Sequence, residues 1–281
     1  MKRHMPLILM FAFATPMLAQ YESNEVVTFN QPVQSDGEKT YDQEIRRKAA
    51  EGDVDAQLVM AKSLDFGIGG RIDKRQAVRW YTAAAEQGDA EAQYYLSIHY
   101  FKGDGVQRSV QDAISWCRKS AEQAYAPAQY SLGTCYAQGI GMNKSIEDAA
   151  DWWKLAADQG YADAQCEMGV YCAKEDTEWR NPVEAAKWYR LAAEQGNARA
   201  QEYLGKCYYD GEGVKKNYAE AVKWYMMSAE QGNPHAQNNL GVCYQQGHGV
   251  PQNDEEAAKW FRMAAKQGHA IAKGNYQNTK R

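Results

Sequence analysis

The chain has 281 residues, of which 44% are hydrophobic and 24% are charged, and its formal net charge is −4. A chain of this length ordinarily forms one or two globular domains. Its acidic balance argues against non-specific binding to nucleic acid, because that binding needs a basic face to neutralise phosphates.

Residues 1–19 have the pattern of a secretory signal peptide. Lys2 and Arg3 give a basic start, residues 6–18 are apolar, and Ala19 is a small residue before the expected cleavage point. The apolar run is too short to cross a bilayer comfortably, since a spanning helix needs about 20 residues. No cysteine lies near the cleavage point, which argues against a lipoprotein. We predict a periplasmic or secreted protein without stable membrane insertion after cleavage; the alternative is a membrane anchor formed by an uncleaved signal.

A 36-residue motif then recurs from residue 53 to residue 268. Its tryptophan occupies one position in every repeat, namely Trp80, Trp116, Trp152, Trp188, Trp224 and Trp260. A period of this length is typical of solenoids, in which each repeat is too small to bury its own apolar face and stacks on its neighbours. The six repeats are 53–88, 89–124, 125–160, 161–196, 197–232 and 233–268.

Each repeat contains two amphipathic helices, called helix A and helix B in chain order. Helix B is expected to begin after a residue that can cap it, namely Asp73, Ser109, Ser145, Asn181, Asn217 and Asn253. It is expected to end at a glycine in the left-handed conformation, at Gly88, Gly160, Gly196, Gly232 and Gly268, with Ala124 in the second repeat. Ala185, Trp188 and Ala192 predict one buried stripe of helix B, in which the tryptophan fills the space between layers.

Glycine recurs inside helix A and in the turn that follows it. Within helix A it stands at Gly133, Gly169, Gly205 and Gly241, where a side chain would hold neighbouring helices apart. In the turn it forms a G-x-G pattern such as Gly103 and Gly105. No strand precedes these turns and they recur in most repeats, so they are interpreted as hairpin turns that need positive φ rather than as phosphate-binding loops.

The combined pattern A-x-x-L-G-x-x-Y, G-x-G-V and A-x-x-W-Y-x-x-A-A-x-x-G closely resembles the Sel-1-like repeat, a relative of the tetratricopeptide repeat. The resemblance implies an all-α fold, a right-handed α-solenoid of antiparallel helix pairs, and a role as a scaffold that grips other proteins. Residues 20–40 are expected to be a flexible lead-in, residues 41–52 an N-terminal capping helix, and residues 269–281 a C-terminal cap.

A partner-binding groove follows from the same resemblance, because tetratricopeptide arrays line their concave face with helix A. Transferring that face by phase selects Tyr94, Ile98, Phe101, Tyr130, Thr134, Cys166, Val170, Glu202, Lys206, Tyr209 and Asn238. The earlier members are mainly aromatic or aliphatic and the later ones mainly polar, which predicts a protein or peptide with an apolar anchor and polar contacts that fix its direction. The alternative is that the tyrosines only pack against neighbouring helices.

The fourth repeat lacks both turn glycines and has residues 175–180 in their place. Trp179 in this segment and Trp153 are the two tryptophans outside the repeated position. Exposed tryptophans favour binding sites, so Trp179 is a candidate for an additional surface contact. The alternative is that it packs on the altered loop.

The cysteines and histidines predict neither disulfides nor metal binding. Cys207 and Cys243 occupy the same position on successive A helices, whose axes lie about 8–10 Å apart, whereas a disulfide needs Cα atoms within about 7 Å. Cys166 and Cys172 face different ways on one helix, and we expect mostly buried thiols. The five histidines form no chelating motif, so no metal site and no cofactor is expected.

A secreted, cysteine-rich branch of the Sel-1-like family carries a regular cysteine pair in each repeat, and some members are described as penicillin-binding or weak β-lactamases. That pair is absent here, and no S-x-x-K motif is present. The sequence therefore predicts an exported, non-catalytic repeat scaffold that binds proteins or peptides. The alternative is a β-lactamase-like or penicillin-binding enzyme.

Overall fold

The computed structural model describes residues 36–175 and 180–279, and in these residues all regular secondary structure is helical. The signal peptide, most of the lead-in and Trp179 lie outside the described residues. In chain order the helices are α1 (Asp36–Ala50), α2 (Val54–Phe66), α3 (Lys74–Glu86), α4 (Ala90–Lys102), α5 (Val110–Glu122), α6 (Ala126–Gln138), α7 (Ile146–Asp158), α8 (Ala162–Ala173), α9 (Pro182–Glu194), α10 (Ala198–Asp210), α11 (Tyr218–Glu230), α12 (Pro234–Gln246), α13 (Asp254–Lys266) and α14 (Ala270–Asn278).

The described residues divide into two compact units, one that ends at residue 146 (the N-terminal unit) and one that begins at residue 147 (the C-terminal unit). Even-numbered helices are A helices and odd-numbered helices are B helices. The first helix begins at residue 36, so residues 36–40, expected to belong to the lead-in, are helical. The last helix follows His269, whose Nδ1 accepts a hydrogen bond of 3.2 Å from the amide of Ala272.

The capping residues predicted for helix B are confirmed where the structure gives their contacts. Asp73 accepts a hydrogen bond of 3.0 Å from the amide of Gln76, and Asn217 accepts one of 3.1 Å from Glu220. The side chain of Gln76 also donates a hydrogen bond of 3.0 Å to the Asp73 carboxylate, which adds a second contact in the first turn of α3. The helix ends and the G-x-G turns have the predicted positive φ, and Ala124 also has it, with φ 63°.

The buried aromatic of helix B is the residue after the repeated tryptophan, which corrects the sequence prediction. In α9, Trp188 is half-buried while Tyr189 is only 4% exposed. Both residues are aromatic, and both i+3 and i+4 spacings suit a helical stripe, so periodicity could not choose between them. The residues at this buried position are Tyr81, Cys117, Trp153, Tyr189, Tyr225 and Phe261. Trp153 is therefore a core residue.

The glycines inside helix A make room for this aromatic ring, as predicted. A Cβ added to Gly205 of α10 would lie 2.6 Å from Cδ1 of Tyr225 in α11, closer than real Cβ contacts allow. The same holds for Gly241, whose added Cβ would lie 2.6 Å from Cε1 of Phe261. The glycine therefore sets how closely helix A and the following helix B approach.

Buried glutamines join three consecutive helices, as in the first repeat. Gln57 of α2 donates a hydrogen bond of 3.2 Å to the carbonyl of Ala49 in α1. Its own side-chain oxygen accepts a hydrogen bond of 2.9 Å from Gln87, which follows α3. Buried polar groups must be hydrogen-bonded to avoid a desolvation penalty, so this repeated pairing fixes the register of the stacked helices.

Candidate partner-binding surface

The sequence-predicted groove residues of the N-terminal unit lie on α4 and α6 and differ in burial. Tyr94 is only 2% exposed, whereas Ile98, Phe101, Tyr130 and Thr134 are half-buried. Tyr94 therefore lies beneath the surface, whereas the other four side chains form part of the surface itself.

Tyr94 packs against the next A helix of the N-terminal unit, as in the alternative that the sequence left open. Its ring centroid lies 5.5 Å from that of Tyr125, at the start of α6. Its hydroxyl accepts a hydrogen bond of 3.4 Å from Ser131 of α6. Tyr94 follows the buried Gln93 in α4. A side chain at this position points toward the next A helix as well as toward the predicted groove.

Phe101 lies at the end of α4, against an arginine of the following turn. The Arg108 guanidinium lies 5.9 Å from the ring centroid of Phe101. Its Nε also donates a hydrogen bond of 3.0 Å to the Phe101 carbonyl. The half-buried ring therefore has a cation over it, so this part of the surface offers an aromatic ring and a positive charge together.

In the C-terminal unit the same helix A position is also buried, at Cys166, Glu202 and Asn238. Asn239 of α12 donates a hydrogen bond of 2.9 Å to Oε1 of Glu202 in α10. Asn275 of α14 donates one of 3.0 Å to Oδ1 of Asn238. Glu202 and Asn238 therefore form hydrogen bonds between successive A helices, much as Tyr94 contacts the next A helix in the N-terminal unit.

Glu202 is an acid held in a poorly hydrated place. Burial raises its pKa to about 6, although Lys206 and the hydrogen bond from Asn239 act in the opposite direction. Lys206, one turn further along α10, is exposed. A carboxyl group with a pKa of about 6 gains its negative charge as the pH rises toward neutral. The charge beside Lys206 therefore depends on pH.

Val170, the predicted groove residue of α8, is half-buried. Tyr209 belongs to a polar aromatic cluster at the end of α10. The Tyr209 hydroxyl donates a hydrogen bond of 3.0 Å to Oε1 of Gln246. Because a hydroxyl has one proton, its 2.8 Å contact with Nδ1 of His248 requires that nitrogen to donate. The His248 ring stacks on Tyr218 with centroids 4.3 Å apart.

A buried ionic cluster in the N-terminal unit was missed by sequence reasoning. Asp65 is buried, with Nζ of Lys74 2.6 Å and Nε2 of His99 3.3 Å from its Oδ1. The Tyr81 hydroxyl donates to its other oxygen at 3.3 Å. Burial tends to raise the pKa of Asp65, but the hydrogen bonds and charges of His99 and Lys74 outweigh it and hold that pKa below its usual value.

Comparing repeats would have found this cluster. The positions equivalent to Asp65 in the third and fourth repeats carry Ala137 and Ala173, and the position of His99 carries Cys135 and Cys207 in the third and fifth repeats. A charged residue where other repeats have a small or apolar one indicates a local network, because an unpaired charge is rarely buried.

The cysteine side chains are thiols in the structure, and Cys207 is half-buried while the other five are buried. Burial raises the pKa of Cys135 to about 11 and that of Cys166 to about 12. Cys117 donates a hydrogen bond of 3.4 Å to the carbonyl of Ala128. At neutral pH these thiols are protonated, which lowers their reactivity as nucleophiles.

Within residues 36–175 and 180–279, no group of three or more His, Cys, Asp or Glu side chains is arranged to hold a metal ion. No helix in the same residues is long and apolar enough to cross a membrane.

The sequence profile of the Sel1 repeat family matches six consecutive stretches, residues 54–89, 90–125, 126–161, 162–197, 198–233 and 234–269. The chain belongs to the Sel1 repeat family. The matched stretches begin one residue later than the repeats counted from residue 53. The resemblance and the all-α repeat fold predicted from sequence are thereby confirmed for this Sel1 repeat protein.

Several solved structures are similar to this Sel1 repeat protein, among them one from Escherichia coli and one from Oxalobacter formigenes. A protective antigen of uropathogenic Escherichia coli with an SLR fold is 33% identical, with a TM-score of 0.74 over 83% of the chain. The chain spans 50% of the length of that antigen. A Sel1 repeat protein from Oxalobacter formigenes is 32% identical, with a TM-score of 0.71, and the match covers 81% of this chain and 92% of that one. Comparison with curated proteins gives no match.

Proposed function

We propose that this Sel1 repeat protein is an exported, non-catalytic scaffold that binds protein or peptide partners along its A helices. Sel1 repeat proteins generally mediate protein–protein interactions. The observation that carries the proposal is the surface of the N-terminal unit, where half-buried Ile98, Phe101 and Tyr130 lie at the groove positions of α4 and α6. Large apolar side chains held on rigid helices give much contact area for little loss of entropy.

The C-terminal unit supplies polar contacts for the same kind of partner. Lys206 is exposed on α10, one turn from the buried Glu202 and its partner Asn239. Hydrogen-bonding groups fixed by neighbouring helices are preorganised, so a bound segment does not have to order them. Polar groups of this kind fix the direction of a segment bound to the C-terminal unit, and the apolar groups of the N-terminal unit give affinity for a segment bound there.

The experiment is a crosslinking pull-down with the full chain and with a variant that carries both Ile98→Ala and Tyr130→Ala. The variant is expected to lose most of the captured partner while retaining its helical circular dichroism. Trp116→Ala is the matched control, because Trp116 is a half-buried aromatic on helix B of the same unit. Undiminished capture by the double variant rejects the surface.

Export and the absence of catalysis have separate tests. Cell fractionation and N-terminal sequencing are expected to find a soluble exported chain that begins at Gln20; a chain that retains its first residues in the membrane fraction supports the anchored alternative. The purified protein is expected not to hydrolyse a chromogenic β-lactam. Hydrolysis abolished by a point substitution contradicts the non-catalytic part of the proposal.

A further inference from the structure

The outer surface of the C-terminal unit carries a repeated apolar feature unrelated to the A helices. Four large apolar side chains occupy one position of helix B and are 45–49% exposed: Leu155, Leu191, Met227 and Met263. We call these four residues the apolar row. The N-terminal unit has Ala83 and Lys119 at the same position. Because the other repeats fold with small or charged residues there, stacking of the repeats does not require the apolar row.

The apolar row crosses neighbouring B helices and is widened by aromatic rings. Nζ of Lys154 in α7 lies 5.6 Å from the ring centroid of Trp188 in α9, so these two B helices are adjacent. Residues three apart share a helix face, and a half-buried tryptophan precedes each member of the row by three residues. These are Trp152, Trp188, Trp224 and Trp260. A repeated row of exposed apolar side chains is a candidate interaction site.

Charges of opposite sign border the apolar row on its two sides. On the side nearer the helix starts, Lys187 and Lys223 are exposed and pair only along their own helices, with Glu184 at 3.2 Å and Glu220 at 2.5 Å. On the side nearer the helix ends, the exposed acids are Asp158, Glu194 and Glu230. Among the described residues, Glu194 and Glu230 have no ion-pair partner.

We propose that the apolar row is a contact between two copies of this chain, related by a twofold axis that runs along the row. Such an axis reverses the helix direction in the second copy, so the basic side of each row faces the acidic side of the other. Lys187 then faces Glu194 of the partner subunit, and Lys223 faces Glu230 of the partner subunit. A twofold axis parallel to the helices would instead place lysines against lysines, which is unfavourable.

The charge match is confined to the two central helices, α9 and α11. At one end α13 has Lys266 on the otherwise acidic side, and at the other end α7 has Asp151 on the otherwise basic side. The contact is therefore a short, reversible one at the small end of the range of protein interfaces. Its ion pairs are exposed, so the dimer is expected to weaken as salt is added.

The test is the oligomeric state of the full chain, measured by sedimentation equilibrium over a range of concentrations. The unsubstituted chain is expected to dimerise. A variant with Leu191→Lys and Met227→Lys is expected to raise the dimer Kd by about tenfold or more, since apolar burial at the centre is lost. Lys119 occupies this position in the second repeat, so the fold accepts lysine. Ile271→Lys is the control, because Ile271 is 67% exposed but outside the row.

A charge exchange tests the orientation. Lys223→Glu alone is expected to weaken the dimer, and adding Glu230→Lys to the same chain is expected to restore it, because both signs are then reversed in both copies. A chain that remains monomeric at every concentration overturns the proposal, as does a dimer unaffected by the double lysine variant. A failure of the exchange to restore the dimer overturns the assigned axis.

Discussion

The side-chain amide of Gln231 donates a hydrogen bond of 2.8 Å to the side-chain oxygen of Gln201. Gln201 is 1% exposed and donates its own hydrogen bond of 3.1 Å to the carbonyl of Ala193. One buried side chain therefore joins α9, α10 and the end of α11. The same glutamine pairs recur as Gln57 with Gln87, Gln93 with Gln123, Gln165 with Gln195 and Gln237 with Gln267.

We expect the two members of such a pair to differ in their contribution to stability. Gln201→Ala removes both hydrogen bonds and leaves a cavity, so the free energy of unfolding should fall by about 2–4 kcal/mol. Gln231→Ala should cost about 1 kcal/mol or less, because Gln231 is exposed and water replaces its contacts. Urea unfolding of both variants checks this, and the double variant should lose less than the sum. Equal effects of the two single changes would contradict the role of the buried glutamine.

The residue after the repeated tryptophan should matter more than the tryptophan itself. Tyr189→Ala removes a ring buried over the helix A glycine, and we expect a loss of about 3–5 kcal/mol. Trp188→Ala removes a half-buried ring, so the loss should be clearly smaller. Thermal unfolding of the two variants side by side is the measurement. A lower melting temperature for Trp188→Ala than for Tyr189→Ala would restore the packing first predicted from the sequence.

Ala124→Gly should stabilise the N-terminal unit. Ala124 has φ 63°, a left-handed conformation that costs an alanine about 1–2 kcal/mol. Glycine removes this strain but has more entropy in the unfolded chain, so the net gain should be about 0.5–1 kcal/mol. The control is Gly196→Ala, because Gly196 has φ 91° and nothing within 4 Å of an added Cβ. A rise in melting temperature for the first and a fall for the second is expected; the opposite pattern excludes backbone strain as the cause.

Glu202→Gln should stabilise the C-terminal unit at pH 8 and have little effect at pH 4. The folded-state pKa of Glu202 is raised from 4.5 to about 6, so its ionisation opposes folding above that pKa and has no effect below the unfolded pKa. The cost at pH 8 is up to about 2 kcal/mol. Unfolding free energies measured between pH 4 and pH 8 should diverge above about pH 5. Glu255→Gln, at an exposed position of the same unit, is the control, and a similar pH profile for it would exclude burial as the cause.

The repeat architecture was predictable because the same chemical requirement recurs in phase. Asn217 and Gly232 mark the two ends of α11, and cap chemistry alone places both. Gly205 indicated a close helix contact because glycine inside a helix needs a packing reason. The contact residue itself was assigned to the wrong aromatic, since Trp224 and Tyr225 are adjacent and a helical stripe accepts either.

The candidate surface was less predictable than the fold. Phase placed Tyr94 and Glu202 on helix A correctly, but phase cannot say how near the next A helix comes, and that distance decides whether a side chain is exposed. The cluster around Asp65 was missed because its members come from three helices and only the first and second repeats supply them. Differences between equivalent positions of the repeats, rather than the shared motif, were the available signal.

The central claim is that the A-helix surface of the N-terminal unit binds a protein or peptide partner. Its most direct test is a photocrosslinking amino acid placed at Tyr130 in the full chain, compared with the same amino acid at Trp116. Irradiation in cells is expected to give a discrete crosslinked product only from position 130, and Ile98→Ala in the same chain is expected to reduce it. Absence of a product at position 130, or identical products from both positions, would contradict the claim.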